Sequence, residues 1–132
     1  MSDSPSSLPS TAPAAARDER LPRVETLRKS ADYLRSYRRG RRVHGSVAML
    51  YTHPNDTGRA RLGITASRKV GKAVVRNRLK RRIREVYRRW RDRASLPALD
   101  LVVHLKPEAK KADFAELRRE LLRLFAMAGR RG

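Results

Sequence analysis

Residues 67–90 read SRKVGKAVVRNRLKRRIREVYRRW, a stretch dense enough in guanidinium and ammonium groups to hold a polyanion. Arg forks onto phosphate oxygens and stacks on bases, which suits RNA recognition. One position breaks the charge: Asn77 sits between Arg76 and Arg78. An amide both donates and accepts, so it can read a base edge, a ribose hydroxyl or a metal-bound water where Arg alone cannot. Val75, Leu79, Ile83, Val86, Tyr87 and Trp90 recur at helical spacing, which predicts an amphipathic helix with that stripe against a sheet. Away from the stripe, Arg76, Lys80 and Arg84 form one exposed row, and Asn77, Arg81, Arg84 and Arg88 the row beside it. Gly71 lets the backbone turn sharply before the helix, whose N-terminus adds its own preference for anions.

Other chemistry is thin. Tyr33, Tyr37 and Tyr51 are close together in sequence and could line a groove that stacks unpaired bases, although such tyrosines more often belong to a core or its rim. His44, His53 and His104 are isolated, with no carboxylate at catalytic or metal-ligand spacing; His104 reads as a sheet residue and His53, beside a turn, as exposed. The absence of Cys excludes disulfides, thiolate metal sites and cysteine nucleophiles. GKAVVRN lacks the spacing of a phosphate-binding loop. No active site is visible in the sequence.

The balance of 33 Lys and Arg against 13 Asp and Glu, a net charge of +20, favours phosphate backbones or anionic surfaces and works against compactness. A hydrophobic fraction of 39% still permits a core within the 132 residues. No apolar run approaches a membrane span, and no signal peptide is visible, so the expected location is the cytoplasm, with no membrane and no obligate protein partner.

The elements that must position these residues follow from pattern. Residues 1–22, rich in Ser, Pro and Ala, read as a disordered tail, with a folded domain over 23–128 and a short basic end at 129–132. A short helix is expected within 26–40, with Leu27, Leu34 and Tyr37 at helical spacing, or starting at Lys29 to Ala31 if Ser30 marks a cap, and stopped by Gly40. Strands are expected at 45–53 and 59–67, joined by the turn residues PNDTG into an antiparallel hairpin. After the basic helix come a strand at 100–105 and a second amphipathic helix at 112–128, with Phe114, Leu117, Leu121, Leu124 and Phe125 on one side. The order α-β-β-α-β-α predicts an α+β fold, an α/β sandwich with a βαβ crossover through the basic helix.

The stretch GITASRKVGKAVVRNRLKRRIRE resembles the signature of the protein subunit of bacterial ribonuclease P, with Arg76-Asn77-Arg78 at its centre. The likeness runs over about residues 24–127 and takes in LRKSADYLRSYRRG and the strand VAMLYT. It implies a fold like the second domain of ribosomal protein S5, with a left-handed crossover that the general right-handed rule would not predict. It implies a cofactor subunit of an RNA-catalysed endoribonuclease, which binds the catalytic RNA and the single-stranded 5′ leader of precursor tRNA. Mg²⁺ in the holoenzyme would be held mainly by the RNA. By position, the RNA-binding residues would be Arg68, Lys69, Lys72, Arg76, Asn77, Arg78, Lys80, Arg81 and Arg84, and the leader cleft Tyr33, Tyr37, Tyr51 and Thr65, with Lys69 nearby. Tyr33 and Tyr37 are commonly Phe in this family, Arg68 replaces a Lys, and Arg82 stands where an apolar residue is common. Three rival readings remain on composition alone: a general or ribosomal RNA-binding module, a DNA-binding protein, and a nuclease acting alone.

Overall fold

The computed structural model describes residues 25–131, so the Ser/Pro/Ala-rich segment 1–22 lies outside the described residues. The elements are α1 (Ser30–Arg39), β1 (Arg41–His44), β2 (Ala48–Pro54), β3 (Arg61–Ala66), α2 (Ala73–Arg89), β4 (Leu99–Leu105) and α3 (Phe114–Arg131). The expected α+β class holds, with one strand more than the sequence pattern predicts. The missed strand, β1, buries only Val43 among its four residues, so it carries no alternating signal. Its charged residues suit its place at the sheet edge.

The sheet order is β1-β2-β4-β3. β2 pairs antiparallel with both β1 and β4, and β3 pairs parallel with β4. The predicted hairpin between β2 and β3 is therefore wrong. The turn itself is real: Asn55 Nδ2 donates to the Arg59 carbonyl at 3.0 Å, and Gly58 has φ +79°. The two strands run antiparallel but leave a slot one strand wide, which β4 fills. Local pattern cannot report an insertion made by a strand that comes later in the chain. β3, α2 and β4 form the expected βαβ unit.

Alternation decides the two faces. Leu50, Leu62, Ile64, Leu101, Val103 and Leu105 point to one side, where they meet Leu79, Ile83, Val86 and Tyr87 of α2 and Leu117, Leu121, Leu124 and Phe125 of α3. Each such side chain is worth about 1.5–3 kcal/mol when fully buried. The rings of Tyr87 and Phe125 meet edge to face at 5.2 Å. Phe114 does not join this side as expected. It begins α3 at 44% exposure, with the Arg82 guanidinium 5.6 Å from its ring centre.

α1 covers the opposite face, and its inward side is polar. Leu34 is exposed, and Asp32 and Ser36 are the buried positions. Arg61 on β3 explains this: its Nε and Nη2 each donate at 2.8 Å to one oxygen of Asp100 on β4, and Nη2 stands 3.5 Å from Asp32. Leu27 is buried ahead of the helix, where its N–H donates to the Leu62 carbonyl at 2.8 Å on the outer edge of β3.

Candidate nucleic-acid interface

α2 is set by its first residues. Gly71 has φ +148°, a conformation that side chains rarely adopt, and the helix starts at Ala73 with Lys72 as N-cap. Lys72 makes no side-chain cap, and the first turn holds no acid, so the positive end of the helix dipole is left to the solvent. Arg68 and Lys69, on the turn before Gly71, are exposed, as is Lys72.

Successive helical residues point about 100° apart, so Arg76-Asn77-Arg78 fans across the helix instead of forming a row. Arg76 leans toward the body of the protein, half-buried, with its Nε enclosed and without a hydrogen-bond partner among the described residues. Asn77 stands at the crest and Arg78 is exposed beyond it. The predicted row Arg76–Lys80–Arg84 is thus only partly exposed, because Lys80 is half-buried too. Burial, then the charges of Arg84 and Arg76, hold the Lys80 ammonium below its ordinary pKa. Asn77, Lys80, Arg81 and Arg84 line an open depression of about 510 Å³ beside Val74. The neighbouring row ends early. Arg88 donates to both oxygens of Glu85, at 3.2 and 2.5 Å, and Arg89 reaches the same carboxylate at 2.6 Å. These bonds, led by Arg88, pull the Glu85 pKa down. No carboxylate among the described residues pairs with Arg76, Arg78, Lys80, Arg81, Arg82 or Arg84.

A second group of predicted residues converges across the sheet. Tyr37 on α1 meets Tyr51 on β2 edge to face at 4.8 Å. Its hydroxyl lies 2.6 Å from Thr65 Oγ1 on β3, which lies 2.8 Å from His104 Nδ1 on β4. Tyr33 is half-buried: its hydroxyl donates to the Leu27 carbonyl at 3.1 Å, and its ring lies so close over Gly63 that a Cβ there would stand 2.6 Å from Cε1. Tyr33 packs against the backbone at Gly63, and all three tyrosines are half-buried. Burial raises both the Tyr33 and Tyr37 pKa values and lowers that of His104. Against burial, the Ile64 backbone and, last, the Arg84 charge pull the Tyr33 phenol pKa down.

His104 was not singled out as a site residue, and only the register, which sets it opposite both Met49 and Thr65, brings it here. His53, expected to be exposed, lies half-buried in β2 with Nδ1 enclosed and unpartnered. Arg42 is a further addition, paired across strands with Tyr51.

Fold and surface together define a class: a mixed-sheet α+β protein with a cationic helix and a cluster of aromatic side chains across the sheet. The comparisons narrow it. The family model described as Ribonuclease P matches residues 21–129. The ribonuclease P protein component of Desulfovibrio desulfuricans is 41% identical over 114 residues, covering 83% of this chain and 87% of that one. That of Dictyoglomus thermophilum is 39% identical, covering 83% and 92%. The solved ribonuclease P protein of Staphylococcus aureus superposes with a TM-score of 0.72 at 31% identity, over 79% of this chain and 94% of the other. That of Thermotoga maritima gives 0.65 at 34%, over 76% and 94%. The chain belongs to the ribonuclease P family, as its bacterial protein component.

Proposed function

We propose that α2 binds the catalytic RNA of ribonuclease P through Asn77, Arg78, Arg81 and Arg84, supported by Arg76, Lys80 and the loop cations Arg68, Lys69 and Lys72. The cleft of Tyr37, Tyr51 and Thr65, walled by Tyr33, takes the single-stranded 5′ leader of precursor tRNA. The RNA carries out the hydrolysis, and the protein supplies counter-charge and a hold on the leader. The observation that carries this reading is the row of α2 cations with no carboxylate partner among the described residues, beside a separate group in which Tyr37, Tyr51 and Thr65 are in contact.

Among the described residues, no group of three or more His, Asp or Glu side chains is placed to hold a metal ion. The reading assigns the Mg²⁺ of the holoenzyme to the RNA. No helix among the described residues is long and apolar enough to cross a membrane. The cytoplasm remains the proposed location.

The test is cleavage of a 5′-extended precursor tRNA by the cognate catalytic RNA at low Mg²⁺, with and without the protein. The expected result is a protein-dependent gain that shrinks as the leader is trimmed to one or two nucleotides and as salt rises. Tight RNA binding with no gain in cleavage would leave only a general RNA-binding module.

A further inference from the structure

We propose that the hollow between the C-terminal end of α2 and the first turns of α3 is a nucleotide site. It would take one unstacked base of a bound RNA, with the phosphate on Arg91 and Arg118. The hollow measures about 400 Å³, and its walls include Trp90, Phe114 and Leu122. That volume lies within the range of small-ligand sites, about 300–1,000 Å³.

The chemistry of the walls fits a nucleotide better than an apolar peptide. Phe114 is 44% exposed at the start of its helix, where burying it in the core would have been the default for a Phe. Trp90 stands at the other wall, its inner face anchored on Phe125 at 5.7 Å and on Tyr87 at 6.4 Å. Two aromatic walls offer a flat π-surface to a base, and every base has a face to stack. Arg91 and Arg118 are exposed at the rim and pair with no carboxylate among the described residues. The acid at the site, Glu85, is already held by Arg88 and Arg89, so it does not cancel the rim charge. Arg82, exposed with its guanidinium 5.6 Å from the Phe114 ring centre, adds a further cation beside the hollow. The proposal rests on the RNA reading of α2 only for the source of the nucleotide.

The chain contains a single tryptophan, Trp90, so its fluorescence reports on this hollow. The experiment titrates the full chain with AMP, with adenosine and inorganic phosphate in parallel. AMP should quench Trp90 saturably, adenosine more weakly, and phosphate not at all. Phe114→Ala and Arg118→Ala, both at exposed positions, should each raise the half-saturating AMP concentration about fivefold or more. Circular dichroism confirms that each variant is folded. Arg81→Ala should leave AMP quenching within about twofold while weakening assembly with the RNA, roughly eightfold for one lost phosphate contact. Overturning results are no saturable quenching, quenching unchanged in both pocket variants, or the same quenching by phosphate alone. If Arg81→Ala leaves RNA assembly untouched, the α2 reading fails by itself and the AMP result still decides the hollow.

Discussion

Arg81 and Arg88 lie two turns apart on the outer side of α2, and sequence spacing treats them alike. The structure separates them: Arg88 is bound by Glu85, and Arg81 opens onto the depression beside Asn77. A cation that neutralises a phosphate releases counterions, and each such contact adds about 0.7–0.9 to the slope of log K against log salt. Arg81→Ala should therefore flatten the slope for assembly with the catalytic RNA by about 0.7–0.9. At about 0.1 M salt this removes roughly eightfold in affinity, the factor 10 raised to 0.9. Arg88→Ala should change the slope by less than about 0.3, since its charge is already balanced in the free protein. The assay is filter binding across a salt series, with wild type and both variants on one RNA preparation. Equal losses of slope would show that the Glu85 pair opens on RNA, and the distinction drawn from the free structure would be wrong.

Other perturbations address the framework. Gly63→Ala forces a Cβ to 2.6 Å from the Tyr33 ring, so it should destabilise the fold by about 1–3 kcal/mol in urea, and much less in a Tyr33→Ala background; no coupling between the two would refute the contact. Asp100→Asn leaves Arg61 without its forked partner at a site where Asp100 is 1% exposed, and should cost about 3 kcal/mol by the same assay; a loss under about 1 kcal/mol would refute the clamp. Tyr87 is fully buried, its hydroxyl has no partner among the described residues, and its pKa is pushed up to about 12, by burial first. Its folded pKa is raised, so its stabilising share is complete below the ordinary tyrosine value, about 10, and is lost as pH rises toward 12. Tyr87→Phe should hold stability within about 1 kcal/mol at neutral pH and move the alkaline unfolding midpoint upward; a loss above about 2 kcal/mol would reveal a bond the hydroxyl makes.

The basic helix was legible because both its signals are local. The stripe of Leu79, Ile83 and Val86 and the charges around it repeat within a few turns of one element, and the structure keeps that stripe buried. α1 was misread for the opposite reason. Its inward side is Asp32 and Ser36, polar because Arg61 and Asp100 wait on strands far along the chain. Apolar periodicity therefore pointed to Leu34, which faces solvent. His104 joined the cleft through strand register alone, which no spacing within β4 announces. Asn77, expected in an exposed row with Arg81, Arg84 and Arg88, is exposed, whereas Arg88 in that row is half-buried and held by Glu85.

The strand order also bears on how the chain comes off the ribosome. β4 sits in the middle of the sheet, yet it is the last strand to be synthesised. Until it emerges, β3 has no strand beside it and β2 has only β1. The cationic side of α2 is thus complete in the nascent polypeptide before its apolar stripe has a finished sheet to cover. Pairings between distant segments close slowly, because the loop entropy comes first. Placing β4 between its two neighbours is therefore the step that completes the sheet beneath the apolar stripe of α2.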